Sequence, residues 1–75
     1  MLDLRGLKCP MPALLARRAL ERARPGETLV VMTDDPMAPI DMPHMCHQEG
    51  FEFVNLSREG NTARMTLRRP EKPSH

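Results

Sequence analysis

The residues of this chain best suited to chemistry are its two cysteines, Cys9 and Cys46. Two cysteines are too few for a disulfide-stapled scaffold, so we expect both to be free thiols in a reducing compartment. A free thiol becomes a nucleophile when it loses its proton, and its surroundings decide how readily that happens. The segments that flank the two cysteines therefore indicate which of them reacts.

Cys9 belongs to the motif Cys9-Pro10-Met11-Pro12, whose two prolines predict the start of a helix. Proline suits a first helical turn because its missing N–H would have no partner there and its φ angle is already helical. The spacing places Pro10 at the first helical position, Pro12 inside the first turn and Cys9 at the N-cap. We therefore expect Cys9 to be held rigidly at the positive end of a helix.

The positive end of a helix favours the thiolate of Cys9, but only weakly. The helix dipole alone lowers the pKa of an exposed thiol by less than about one unit, and Lys8 and Arg5 would add to this effect. A persulfide is more acidic than a thiol, so the same field would hold it largely as an anion, stabilised by the backbone N–H groups of Met11 and Ala13. The site suits an acceptor and donor of sulfur better than a hydrolase.

Other roles for the cysteines stay open at the level of the sequence. Cys9 could pack as a small hydrophobic residue, and His44 or His47 could approach it as a Cys–His dyad, although we expect both histidines to face solvent. A closed zinc site is disfavoured because the chain has no Cys-x-x-Cys pair and its candidate ligands lack the required spacing. Cys46 is expected to pack in the core rather than act as a redox partner.

The segment around Cys46 raises a second hypothesis, a soft-metal module. Thioether, thiolate and imidazole groups are ligands that suit Cu(I). The six candidate ligands are Met37, Met42, His44, Met45, Cys46 and His47. Methionines at helical spacing usually fill a core, so we predict neither a metal site nor a cofactor here.

Hydrophobic periodicity predicts the first elements that position these residues. Leu2 and Leu4 alternate with polar residues in a short strand, and an amphipathic helix then runs from Pro10 to about residue 23, where Pro25-Gly26 stops it. The apolar positions of this helix are Leu15, Ala16, Ala19, Leu20 and Ala23. The β-branched run over residues 28–33 predicts a buried strand.

The start of the second helix is the least certain boundary because the segment contains Pro36, Pro39 and Pro43. Proline costs about 3 kcal/mol in a helix interior. We therefore expect the helix to begin at Asp41 or Met42, with Asp41 as N-cap and Pro43 in the opening turn. It should end near Glu49, before Gly50.

The remaining segments complete a single predicted domain over residues 1–69. Residues 51–56 and 62–68 predict two strands joined by a hairpin at 59–61, and the charged, proline-rich tail 70–75 is expected to be disordered. The order is βαβαββ. Right-handed crossovers place both helices on one face of a four-stranded mixed sheet, which makes a two-layer α/β sandwich without a deep pocket.

Length and composition narrow the possible functions. A chain of 75 residues buries only about 60% of its unfolded surface, so any chemistry is expected to act on a group that a partner delivers. Aromatic residues are 3% of the chain and the net charge is +1, which argues against direct nucleic-acid binding. We find neither a secretory signal nor a membrane-spanning run, so we expect a cytoplasmic protein, and a monomer.

The small net charge hides an uneven distribution. Residues 1–26 carry six basic and two acidic side chains, whereas residues 27–55 carry six acidic and no Lys or Arg. The basic positions on the polar face of the first helix are Arg17, Arg18, Arg22 and Arg24. We expect this basic face to dock an acidic partner surface, with ordinary solvation as the alternative.

The sequence resembles the TusA (SirA-like) sulfur carriers over nearly its whole length, from Leu2 to about Arg69. The resemblance rests on the Cys-Pro-x-Pro motif at Cys9, preceded by Asp3 and Gly6, and on four further motifs in the same order. These are Gly26-Glu27-x-Leu29, Asp34-Asp35-Pro36-x-Ala38, Asp41-Met42-Pro43 with Cys46, and Gly50-x-Glu52. Phe51 stands where the family often has a histidine, so no role of that histidine is transferred.

The resemblance implies a βαβαββ fold like the C-terminal domain of bacterial translation initiation factor three. It implies that Cys9 accepts a persulfide from a cysteine desulfurase or rhodanese-type donor and passes it to an acceptor protein, as a sulfurtransferase-type carrier rather than a self-sufficient enzyme. The family's routes include transfer RNA thiolation, molybdenum-cofactor synthesis and sulfur oxidation. The alternatives are an interaction domain in which Cys9 is structural and the soft-metal module.

Overall fold

The computed structural model describes residues 1–71 and shows a four-stranded sheet covered on one face by two helices. The elements in chain order are β1 (Leu2–Asp3), α1 (Met11–Arg22), β2 (Thr28–Thr33), α2 (Ala38–Glu49), β3 (Glu52–Glu59) and β4 (Thr62–Arg68). The predicted βαβαββ order and the two-layer fold are confirmed. Of the tail expected to be disordered, residues 72–75 lie outside the described residues.

The sheet is mixed, with the strand order β1-β2-β4-β3. β1 pairs with β2 in parallel, and β4 pairs antiparallel with both β2 and β3. β3 extends to Glu59, beyond its predicted end at residue 56, because Ser57, Arg58 and Glu59 each pair with a residue of β4. The parallel β1–β2 pair brings the carboxyl ends of both strands to one edge of the sheet.

The core lies between the sheet and the helices and is built from aliphatic and sulfur-containing side chains. Its fully buried members include Leu4, Ala16, Leu20, Val31, Met42, Cys46, Met65 and Leu67. Phe51 and Phe53 pack against this cluster while remaining half-buried. Methionine is flexible and polarizable, so it fills the irregular space that the scarce aromatic residues leave.

The start of α1 differs from the prediction by one residue. Pro10 is the N-cap, with φ −96° and ψ 8°, and Met11 is the first helical residue. The Met11 N–H donates to the Lys8 carbonyl at 2.9 Å, so the chain makes a turn before the helix begins. Cys9 therefore precedes the cap, across a cis peptide bond to Pro10, while Pro12 lies in the first turn as expected.

The start of α2 was predicted wrongly, since the helix begins at Ala38 and encloses Pro43. Ala38 and Met42 are spaced one turn apart and both are fully buried, so the first turn of the helix packs on the core. We attribute the tolerance of Pro43, which lacks an N–H to donate, to this burial. Within residues 1–71, neither twelve-residue helix is long and apolar enough to cross a membrane.

Candidate functional site

Cys9 lies in the loop that follows β1, at the edge where the carboxyl ends of β1 and β2 meet. The residues that follow β2, Asp34 and Asp35, bind the backbone of this loop. The Gly6 N–H donates to Asp34 Oδ1 at 2.9 Å, and the Cys9 N–H donates to Asp35 Oδ2 at 2.9 Å. The backbone of Cys9 is therefore held by Asp35, a residue that follows the end of β2 and lies 26 positions further along the chain.

Asp35 is a buried anchor, with only 6% of its surface exposed. Its own N–H donates to Thr33 Oγ1 at 3.1 Å, which ties the residue to the end of β2. A carboxylate that accepts a backbone N–H in a part-buried setting makes a stronger bond than a neutral acceptor does. Asp35 thus links the end of β2 to the backbone of Cys9.

The Cys9 thiol is exposed, and its S–H group donates to Asp41 Oδ2, with 2.9 Å between sulfur and oxygen. Asp41 lies in the first turn of α2, because that helix begins earlier than predicted. Asp41 was expected to cap the helix. It is instead a helical residue whose N–H donates to the Met37 carbonyl and whose side chain binds the thiol.

The pKa of Cys9 is raised, which overturns the expectation that the helix dipole lowers it. The largest cause is the hydrogen bond to Asp41, which is available only to the protonated thiol. Desolvation and the negative charges of Asp41 and Asp35 act in the same direction. The empty site therefore favours the neutral thiol.

An open groove of about 280 Å³ runs from Cys9 between the two helices. The wall from α1 and the residue before it consists of Pro10, Ala13, Leu14 and Arg17, and the wall from α2 consists of Asp41, His44, Met45, Gln48 and Glu49. The Arg17 Nε atom is buried and has no hydrogen-bond partner among the described residues. The lining of the groove combines apolar side chains with charged groups of both signs.

The other residues predicted for the site are distributed unevenly around it. Met11 uses its N–H on the Lys8 carbonyl, which removes it from the predicted anion-stabilising pair, while Ala13 lines the groove. Lys8 is exposed and lines a separate groove that does not include Cys9. Arg18 and Arg22 are exposed on α1, whereas Arg17 is half-buried in the groove wall.

Both histidines predicted to face solvent are exposed, and they differ in their relation to Cys9. His44 lines the same groove as the thiol, but the hydrogen-bond partner of the thiol is Asp41. His47 does not line that groove. The geometry therefore pairs Cys9 with a carboxylate rather than with an imidazole.

Cys46 packs in the core, as predicted. Its exposed fraction is 1%, and burial raises its pKa to about 11. Met42 and Met45 are buried with it, whereas Met37, His44 and His47 are exposed, so the six candidate metal ligands are divided between core and surface. Within residues 1–71, no three His, Cys, Asp or Glu side chains are grouped so that they could hold a metal ion.

Sequence reasoning did not find Asp35 and Asp41 as the two carboxylates that hold Cys9. The signal for Asp35 was present, since the ends of parallel strands meet at one edge and a polar pair follows β2 directly. The role of Asp41 depends on where α2 begins, which three nearby prolines obscured. Both residues lie in motifs that carried the family resemblance.

Comparison with known proteins agrees with this architecture. The chain matches the family described as "Sulfurtransferase TusA" over residues 1–69. It is also similar to the crystal structure of a SirA-like protein from Desulfitobacterium hafniense, with 24% sequence identity and a TM-score of 0.79. That match covers 93% of this chain and 96% of the other, and at this identity it shows the shared fold.

Proposed function

Because this chain belongs to the sulfurtransferase TusA family, we propose that it is a sulfur carrier whose Cys9 bears the sulfur. A cysteine desulfurase or rhodanese-type donor supplies the sulfur as a persulfide, and a second protein accepts it in the cytoplasm. The observation that carries the proposal is the exposed Cys9 thiol at the end of an open groove, on a backbone anchored by buried Asp35. An exposed thiol on a fixed backbone can meet two partners in turn.

Loading is a sulfur exchange without net oxidation or reduction. The Cys9 thiol loses its proton, and its sulfur attacks the terminal sulfur of the donor persulfide. The S–S bond of the donor breaks, and the donor thiolate leaves and takes up one proton. Cys9 then bears the persulfide, and the same exchange in the opposite direction delivers the sulfur to the acceptor.

The exposure of Cys9 also weighs against the alternative of a purely structural cysteine. A cysteine that serves packing is normally buried, as Cys46 is in this fold. The Cys9 side chain instead lies outside the core cluster and lines solvent-accessible space. These two observations favour a reactive role for Cys9.

Intact-mass analysis after incubation with a cysteine desulfurase and cysteine tests this proposal. We expect the wild-type chain to gain the mass of one sulfur atom and the Cys9→Ser variant to gain none. The matched control is Cys46→Ala, which removes the buried thiol and should gain the same mass as wild type. Loss of the added sulfur in Cys46→Ala with its retention in Cys9→Ser would reverse the assignment.

We further propose that the basic surface of α1 docks the sulfur partners. Arg18 and Arg22 are exposed, and neither forms an ion pair with an acidic side chain within residues 1–71. Arg17 begins this surface where it meets the groove that contains Cys9. Unpaired charges of one sign steer association with a surface of the opposite sign.

Charge-reversal variants of α1 distinguish an effect on partner docking from an effect on sulfur transfer. We expect Arg18→Glu and Arg22→Glu to slow loading at low donor concentration, with less effect at saturating donor and higher salt. Arg64→Glu places the same charge change in β4, on the sheet face away from the helices, and serves as the control. Equal slowing by all three variants would contradict docking through α1.

A further inference from the structure

The carboxylate of Asp41 touches the atom of Cys9 that the proposed function modifies. Asp41 Oδ2 accepts the S–H of Cys9 at 2.9 Å, and this bond requires a proton on the sulfur. The Cys9 N–H is bound to Asp35 Oδ2, also at 2.9 Å, so the backbone below the sulfur is held in place. A persulfide anion on Cys9 would have no proton to donate to Asp41.

We propose that Asp41 distinguishes the empty carrier from the loaded one, an inference that rests on the proposed function. In the empty carrier, Asp41 holds the Cys9 thiol protonated and bound to the wall of the groove. In the loaded carrier, the same carboxylate repels the persulfide anion, so the terminal sulfur turns away from Asp41. Asp41 thus slows the reaction of the empty thiol without preventing its loading, and leaves the loaded sulfur free for transfer.

The charges around Cys9 support an opposite effect of Asp41 on the empty and the loaded carrier. The charged or titratable side chains that line the groove or act on the thiol are Asp35, Asp41, His44, Glu49 and Arg17. Two of these carboxylates, Asp41 and Asp35, raise the pKa of Cys9. Arg17 supplies positive charge from the opposite wall, and its Nε has no partner among the described residues.

The two states follow from the acidity of the sulfur species and from the geometry of the contact. A thiol with a raised pKa is almost wholly protonated at neutral pH and keeps its hydrogen bond to Asp41. A persulfide is more acidic and is largely anionic, so the same neighbour becomes repulsive. One side chain therefore acts in opposite directions on the two states without any change of the fold.

The rate of alkylation by iodoacetamide tests the inference without any donor enzyme. All proteins carry Cys46→Ala, so that Cys9 is the sole thiol of the chain. Asp41→Asn removes the charge and offers an amide donor to the thiolate, which lowers the pKa of Cys9. A tenfold rise in the thiolate fraction is accompanied by about a threefold fall in the nucleophilicity of each thiolate, for a net gain of about threefold.

We expect the empty Asp41→Asn protein to be alkylated about threefold faster than its parent at pH 7. Glu59→Gln, which neutralises an exposed carboxylate that does not line the groove of Cys9, should leave the rate unchanged. The loaded state is prepared chemically with polysulfide and confirmed by mass. In that state Asp41→Asn should change the rate less than twofold, because the persulfide is anionic in both proteins.

Three outcomes would overturn the proposed role of Asp41. A rise below twofold in empty Asp41→Asn, an equal rise in Glu59→Gln, or a rise of twofold or more in the loaded protein overturns the inference. The pH profile of the parent protein gives a second measurement that needs no substitution at Asp41. Its alkylation midpoint is expected above the ordinary thiol value of about 8.5, and a midpoint at or below that value contradicts the inference.

These measurements are independent of the proposed function. If no desulfurase loads Cys9, the carrier proposal fails, while the empty-state rates still report on Asp41. If loading succeeds and the empty-state rates are equal, the role of Asp41 fails and the carrier proposal stands.

Discussion

Cys9 and Cys46 place the same thiol group in two regions that hold it in different ways. Both thiols have a raised pKa, that of Cys9 through a hydrogen bond to Asp41 and that of Cys46, about 11, through burial. Rotation of a side chain can break the first restraint, whereas the second ends only when the core opens. A raised pKa therefore does not by itself mark an inert cysteine; the means by which it is raised decides reactivity.

The largest expected difference between the two cysteines is their rate of modification. Cys46 is 1% exposed, so a reagent reaches it only through opening of the structure. We expect iodoacetamide to modify Cys9→Ser, which retains only Cys46, at least about 100-fold more slowly than Cys46→Ala, which retains only Cys9. In denaturant the two rates should converge. Native rates within tenfold of each other would show that the comparison is wrong.

The second expected difference is the effect of alkaline pH on stability. The pKa of Cys46 rises from 9.0 to about 11 on folding, so the native state keeps a proton that the unfolded chain loses. The raised pKa of Cys46 contributes about 2 to 3 kcal/mol to the free energy of unfolding. This contribution is complete below pH 9 and is lost as the pH rises from 9 to 11.

Denaturant unfolding at several pH values measures this dependence. Cys46→Ala should lack the loss of unfolding free energy between pH 9 and 11, while Cys9→Ser should retain most of it. A pH dependence that survives unchanged in Cys46→Ala would mean that burial of Cys46 is not its origin.

A smaller effect is expected for the anchor beneath Cys9. Asp35→Ala removes a buried carboxylate and leaves the Cys9 N–H without its partner, so we expect a loss of about 2 kcal/mol in unfolding free energy. Asp34→Ala removes a similar bond to Gly6 at an exposed position and should cost less than about 1 kcal/mol. Equal losses of unfolding free energy in Asp35→Ala and Asp34→Ala would show that Asp35 does not hold the Cys9 loop more strongly than Asp34 does.

Much of the fold could be predicted from local patterns in the sequence. The alternation in β4 and the β-branched run of β2 gave strands with the observed bounds, Thr62–Arg68 and Thr28–Thr33. The stop signals at Pro25-Gly26 and Gly50 marked where the helices end, and Gly50 adopts a left-handed conformation with φ 78°. These features depend on a few adjacent residues, so sequence reasoning finds them readily.

The errors occurred where a distant contact overrides a local preference. The burial of Ala38 and Met42 moves the start of α2 back to Ala38, which leaves Pro43 inside the helix against the local cost of that proline. The hydrogen bond from Cys9 to Asp41 joins residues 32 positions apart and reverses the direction in which the pKa of Cys9 was expected to shift. The sequence could identify Cys9 as the candidate residue, but not Asp41 as the neighbour that binds its thiol.

The most direct test of the central claim is to follow isotopically labelled sulfur onto and off Cys9. The chain is loaded by a cysteine desulfurase with labelled cysteine, purified, digested and mapped by mass spectrometry, and a second portion is chased with the enzyme and unlabelled cysteine. The carrier account predicts that the label is confined to the peptide with Cys9 and disappears during the chase. A label on the peptide with Cys46, or no label on either peptide, would contradict the account.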